Sequence, residues 1–322
     1  MESLIQSAPD AAAAASTGLT TAQLAFPQKP ELRYYRLQNW VSDALPTPRD
    51  LFLWLPEAYL REPERRFPVL LLHDGQNLFD GELSYIKGQT WRCGSTADDV
   101  FARCLAEPTV LVGIGNTGVQ RMAEYTPTPD TRLGGGKGPL YARLLTEELL
   151  PTLQRDLRLL PGPANTGLAG SSLGGLISLA IGLREPQTFG KLGILSPSVW
   201  WDRRTILDDI RSLPGHLPLR IWLDMGTAEG QIHVRDTDLL CHLLERKGWH
   251  LDARSTPPLL QDQPNGQRRA SSIFDQPRRP ASATPDLHYE RVPNALHNES
   301  AWAARFGQVL QFLFQPQPEL PK

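Results

Sequence analysis

The sequence predicts an α/β fold: an open, mostly parallel central sheet with helices on both faces. Two observations carry this expectation. Apolar runs of strand length alternate along the chain with longer segments whose apolar residues recur at helical spacing, the pattern of parallel strands joined by crossover helices. In addition, the short run Thr166 to Ala169 passes through Gly170-Ser171-Ser172-Leu173-Gly174 directly into a helical run, Gly174 to Leu183.

The elements follow in order. Residues 1–30 hold an alanine run, Ala11 to Ala15, among Ser, Thr, Gln and Pro, and are expected to form a mobile tail ahead of a single domain over 31–322. Arg33 to Gln38 and Asp50 to Leu55 read as opening strands, and Arg61 to Arg66 as a charged surface loop. Pro68 to Gly75 is apolar on both faces, as a central parallel strand requires, and it breaks at His73-Asp74-Gly75-Gln76-Asn77. A helix near Ala97 to Leu105 and a strand from Thr109 to Ile114 precede a long polar loop with Arg121, Glu124 and Tyr125. Leu144, Leu145, Leu149, Leu153 and Leu157 line one face of a helix over Leu140 to Leu157. Lys191 to Leu195 and Leu219 to Met225 are strands; the second ends in the turn Gly226 to Gly230, ahead of a helix near Asp236 to Lys247. Residues 255–286 mix Pro257, Pro258, Pro264, Pro277, Pro280 and Pro285 with Gln, Ser and Arg. That composition buries too little apolar surface to order itself, so a disordered insertion is expected there. Leu287 to Val292 is the last strand, and Trp302, Phe306, Leu310 and Leu313 share one face of a final helix.

Composition excludes several classes. A formal net charge of −2 over 322 residues, with no long basic run, gives no nucleic-acid footprint. No apolar stretch reaches membrane-spanning length, and Met1-Glu2-Ser3-Leu4-Ile5 does not read as a signal peptide. Cys93, Cys104 and Cys241 are odd in number and widely spaced, which fits a reducing compartment and neither a disulfide framework nor a zinc site. A soluble, cytoplasmic protein is expected. Gly134 to Gly138 lacks the Gly-Lys-Ser/Thr of a phosphate loop, so no cofactor or metal is expected.

A strand that reverses at once into a helix forces its middle residue into a strained backbone and demands small neighbours. Gly170, Gly174 and Gly175 meet that demand, leaving the Ser172 hydroxyl at the tip with the helix N-terminus behind it. Ser172 is therefore the candidate nucleophile, with a tight structural turn as the alternative. A serine needs an imidazole base, itself oriented by an acid. Among the histidines, His297 sits in the loop after the last strand and is the candidate base. Glu229, just past the Met225 strand end, is the candidate acid; Asp202, after the preceding strand, competes for the role. Oxyanion donors are expected from the N–H groups of Leu173 and Gln76, with Gly75 a rival to the latter. Trp200, Trp201, Trp91 and Tyr125 are candidates for an aromatic wall against a ligand, or for core packing. Arg121 is a candidate for a ligand oxygen, or for a pair with Glu124.

These stretches are familiar together. Val69 to Phe79 with its His-Asp-Gly-Gln-Asn, Gly113-Ile-Gly-Asn116 with Arg121 and Glu124 to Pro127, Gly170 to Gly175, Ser196-Pro-Ser-Val-Trp-Trp201, and His297 with Trp302 resemble the esterase D-like, or enterochelin esterase-like, family of α/β-hydrolases. The resemblance covers residues 35–315 apart from the 255–286 insertion. It implies an α/β-hydrolase fold, and a serine carboxylic-ester hydrolase acting through an acyl-serine intermediate on a small-molecule ester such as a siderophore or acylated-sugar ester. By resemblance Ser172 matches the nucleophile, His297 the histidine and Glu229 the acid, while Gln76 follows the Asp-Gly pair as the oxyanion donor does in related mycolyltransferases. Acyl transfer through the same intermediate and a non-catalytic binding protein of this fold are the alternatives.

Overall fold

The computed structural model describes residues 32–256 and 284–316. The expected tail at 1–30, and all but the ends of the expected insertion at 255–286, lie outside the described residues. Ten strands occur among those described: β1 Tyr34–Trp40, β2 Arg49–Trp54, β3 Val69–His73, β4 Val110–Ile114, a small hairpin of β5 Pro129–Asp130 and β6 Gly134–Gly135, β7 Thr166–Ser171, β8 Lys191–Leu195, β9 Arg220–Gly226 and β10 Leu287–Val292. Eight form one sheet in the order β1-β2-β4-β3-β7-β8-β9-β10. The β1–β2 and β2–β4 pairings are antiparallel and all the rest are parallel.

Alternation along each strand builds a core on both faces of the sheet. In β3, Val69 and Leu71 pack with Leu144, Leu149, Leu176 and Ile177 on one side. Leu70 and Leu72 pack with Trp91, Phe306, Val309 and Leu310 on the other. The helix expected over Leu140 to Leu157 forms as α-helix at Gly138–Arg143 and Leu150–Asp156, with a π-helical stretch, Leu144–Leu149, between them. Pro151 explains the widening, because a proline ring clashes with the carbonyl of the residue four before it.

Three features stand out against the expected elements. Helix Gln231–Lys247 begins well before Asp236, which lies in its second turn and pairs with Arg204 at 2.8 Å. Helix Thr205–Ser212 was not anticipated, being only two turns long. The ends of the insertion are part of the sheet margin: Thr256 N–H donates to Tyr289 O at 2.7 Å, and Ile221 N–H donates to Asp286 O at 2.7 Å.

Candidate active site

Ser172 stands between β7 and helix Leu173–Arg184 with φ 58° and ψ −123°, a region nearly closed to side-chain-bearing residues. The tightness around it explains the small neighbours. A Cβ on Gly170 would lie 2.9 Å from both the Gly174 carbonyl carbon and the His73 ring. The bend is held by Ser172 N–H donating to Leu195 O and Ser198 N–H donating to Ser172 O, at 3.0 and 3.1 Å. As first residue of the helix, Leu173 has an N–H with no intrahelical partner. Among the described residues the hydrogen bond of Ser172 Oγ runs to Ser198 Oγ at 3.3 Å, and none joins it to His297.

Glu229 and His297 meet at the same edge of the sheet, after β9 and β10. His297 Nδ1 and Glu229 Oε2 are 2.6 Å apart. The Glu229 side chain is only 3% exposed, while that of His297 is 47% exposed. Glu229 Oε1 accepts from Ser196 Oγ at 2.7 Å and from Gly226 N–H at 3.0 Å. Burial alone would raise the Glu229 carboxyl, but the hydrogen bonds from His297 and Ser196 outweigh it and hold it below the ordinary value. The Trp302 ring stands edge-on to the imidazole, with centroids 5.0 Å apart. Asp202 lies in the turn after Trp200 with φ 40°, and its carbonyl accepts from Thr205 Oγ1; none of the described hydrogen bonds or ion pairs joins it to His297.

Gln76 belongs to the helical turn Gly75–Asn77 at the end of β3, where early N–H groups have no partner within the turn. Gly75 is forced by close approach, since a Cβ there would lie 2.7 Å from both the Gly113 carbonyl carbon and the Phe52 ring. The preceding residue, Asp74, is left-handed at φ 55°. Its carboxylate receives Arg121 Nε and Nη2 at 2.7 Å each and Asn116 Nδ2 at 2.7 Å. Burial opposes the charged form of Asp74, yet Arg121 and Asn116 hold its carboxyl below the usual range. Arg121 is therefore spent on the loop that carries Gln76 rather than on Glu124. Glu124 instead pairs with buried Arg49 at 3.2 Å. Sequence reading missed Asp74 and Asn116, although both stand at strand ends within the quoted motifs. The Arg121→Met variant leaves the Asp74 carboxylate without its cation. It is expected to lose on the order of 3 kcal/mol of stability, read as a lower urea midpoint with unchanged slope.

The aromatic wall is also corrected. Trp201 is 1% exposed, and its Nε1 donates to Thr128 O at 2.8 Å. Trp91 is 3% exposed and packs against Trp302 and Phe306. Both are core residues, and Tyr125 is buried too, against His73 and Tyr141. Trp200 does present surface, at 42%. A cavity of about 440 Å³ opens beside Gln76, lined by Arg36, Asp50, Phe52, Tyr85 and Asn116. Among the described residues no three His, Cys, Asp or Glu side chains converge to hold a metal ion. No helix there is long and apolar enough to cross a membrane.

Residues 42–313 match the sequence model of the family described as "Putative esterase". The chain belongs to this family. This esterase is 30% identical over 190 residues to the uncharacterized protein YbbA of Bacillus subtilis (strain 168), covering 57% of this chain and 70% of that one. It is 28% identical over 221 residues to the ferri-bacillibactin esterase BesA of the same organism, covering 62% of this chain and 72% of BesA. Its fold is similar to that of the enterobactin esterase FES from Shigella flexneri, solved in the presence of enterobactin, with TM-score 0.63 and 21% identity, covering 90% of this chain and 61% of that one. The esterase thus has the α/β-hydrolase fold, a mostly parallel sheet with helices around it.

Proposed function

We propose that this esterase is a serine carboxylic-ester hydrolase that works through an acyl-serine intermediate. Ser172 attacks the ester carbonyl while His297 Nε2 takes the hydroxyl proton and returns it to the departing alcohol. Water then releases the acid by the same exchange in reverse. Glu229 holds the imidazole through Nδ1, and the Leu173 and Gln76 N–H groups receive the oxyanion. The observation that carries this reading is the 2.6 Å His297–Glu229 hydrogen bond at the sheet edge where Ser172 stands at a strained strand–helix turn. The reading requires the Ser172 hydroxyl to turn from Ser198 towards His297. Such bonds are commonly loose before substrate binds.

The relatives' names support an ester of the siderophore type, and Gln76, the proposed oxyanion donor, lines the cavity described above. A fluorophosphonate probe tests the nucleophile. The expected result is a single adduct that peptide mass mapping places on Ser172. An unlabelled Ser172, under conditions that label a control serine hydrolase, would end the reading. Hydrolysis of a siderophore ester in preference to p-nitrophenyl acetate, with free acid rather than a new ester formed in added alcohol, is the outcome expected for the substrate.

A further inference from the structure

Beneath Glu229 lies a buried polar cluster that the proposed chemistry does not use. Ser196, at the end of β8, is 1% exposed and adopts φ 43°. Its Oγ receives Trp302 Nε1 at 3.0 Å and Arg305 Nη2 at 3.0 Å, both from the last helix, Glu299–Leu313. Arg305 is 3% exposed at its side chain and pairs with the fully buried Asp224 of β9 at 3.1 Å. The other Asp224 oxygen receives Trp222 Nε1 at 2.8 Å.

Hydrogen-bond accounting gives this cluster a direction. Indole and guanidinium groups can only donate, and a hydroxyl has two acceptor sites and one proton. With both acceptor sites of Ser196 Oγ taken, its proton has one place to go: Glu229 Oε1, 2.7 Å away. That oxygen already accepts from Gly226 N–H. The remaining oxygen, Oε2, faces His297 Nδ1 and must accept there too if the carboxyl is ionised. The donors therefore converge on the carboxylate: Arg305 and Trp302 donate to Ser196, Ser196 and Gly226 donate to Oε1, and His297 Nδ1–H donates to Oε2.

We infer that Ser196 is a positioning residue, set by Arg305 and Trp302 so that its hydroxyl keeps the Glu229 carboxylate ionised and turned towards His297 Nδ1. This inference rests on the proposed roles of Ser172, Glu229 and His297. The charged groups around Glu229 are His297 from the loop after β10, Arg305 from the last helix and Asp224 from β9. Beyond Asp224 lies Glu290 of β10. Ser196 is the hydroxyl that links the carboxylate to the Arg305 side of this set.

The test compares Ser196→Ala and Ser196→Gly with wild type in kcat, KM and the pH profile of kcat/KM; glycine is at ease at the positive φ of this position and guards against misfolding by the alanine variant. Each folded variant is expected to lose about tenfold in kcat, the rate equivalent of one hydrogen bond to a charged group. KM should stay unchanged, and the acid limb should move to higher pH because Glu229 has lost a donor that favours its ionised form. A wild-type kcat, a rise in KM alone, or a lower kcat with the acid limb in place would each overturn the inference. Ser172→Ala in the same assay separates the two levels. If it remains active, the proposed function itself fails. If it is inactive while the Ser196 variants behave as wild type, only the positioning role fails.

Discussion

Replacing Ser172 by alanine is expected to lower kcat on p-nitrophenyl acetate by roughly a millionfold, about 8 kcal/mol of barrier. The size follows from the proposed acyl-serine pathway. Without the hydroxyl there is no nucleophile for His297 to activate, and what remains is water positioned by the oxyanion donors. KM should change little, because the hydroxyl acts on the ester carbonyl in the transition state and removing it deletes few ground-state contacts. Stability should also hold: alanine at φ 58° is no more comfortable than serine, and the backbone bonds to Leu195 and Ser198 survive. Wild-type and Ser172→Ala rates that agree within error would sink the proposed mechanism.

Glu229→Gln is expected to cost roughly ten-thousandfold in kcat, the magnitude seen when a triad acid becomes an amide and fixes the wrong imidazole tautomer. The two donors at Oε1, Ser196 Oγ and Gly226 N–H, compel the amide to place its oxygen there. Its NH2 group then faces His297 Nδ1. The imidazole can accept at Nδ1 only by carrying its proton on Nε2, where it no longer acts as a base. Raising the pH should not recover the rate. The variant also tests a linkage. The Glu229 carboxyl lies below its ordinary value in the fold. Its contribution to stability is therefore present above about pH 4, the unfolded value, and is lost as pH falls through the folded one. Asp202→Asn is the control. A larger loss there than at Glu229 would reassign the acid.

What could be read from the sequence, and what could not, divides along the range of the interactions. β3 was legible as an unbroken apolar run because a strand buried on both faces leaves that trace. The turn at Ser172 was legible because the nearby Gly170–Gly174 approach tolerates no side chain. Long-range pairings were not. Arg121 has an acid three residues away in Glu124, but its partner is Asp74. That choice follows from the order β2-β4-β3, which sets the loop after β4 beside the loop after β3. Arg49 reaches Glu124 for a related reason, β2 lying against β4. Trp200 and Trp201 are adjacent and chemically alike, yet Trp200 is exposed while Trp201 is buried with its indole N–H on Thr128 O, 73 residues away in sequence. Neither periodicity nor composition signals such a long-range partner.

The backbone at Ser172 has one more consequence. Holding a side-chain-bearing residue at φ 58° and ψ −123° disfavours the folded chain by about 1–3 kcal/mol, and glycine would relieve it while deleting the hydroxyl of the proposed nucleophile. Selection for heat resistance and selection for turnover therefore pull this one codon in opposite directions.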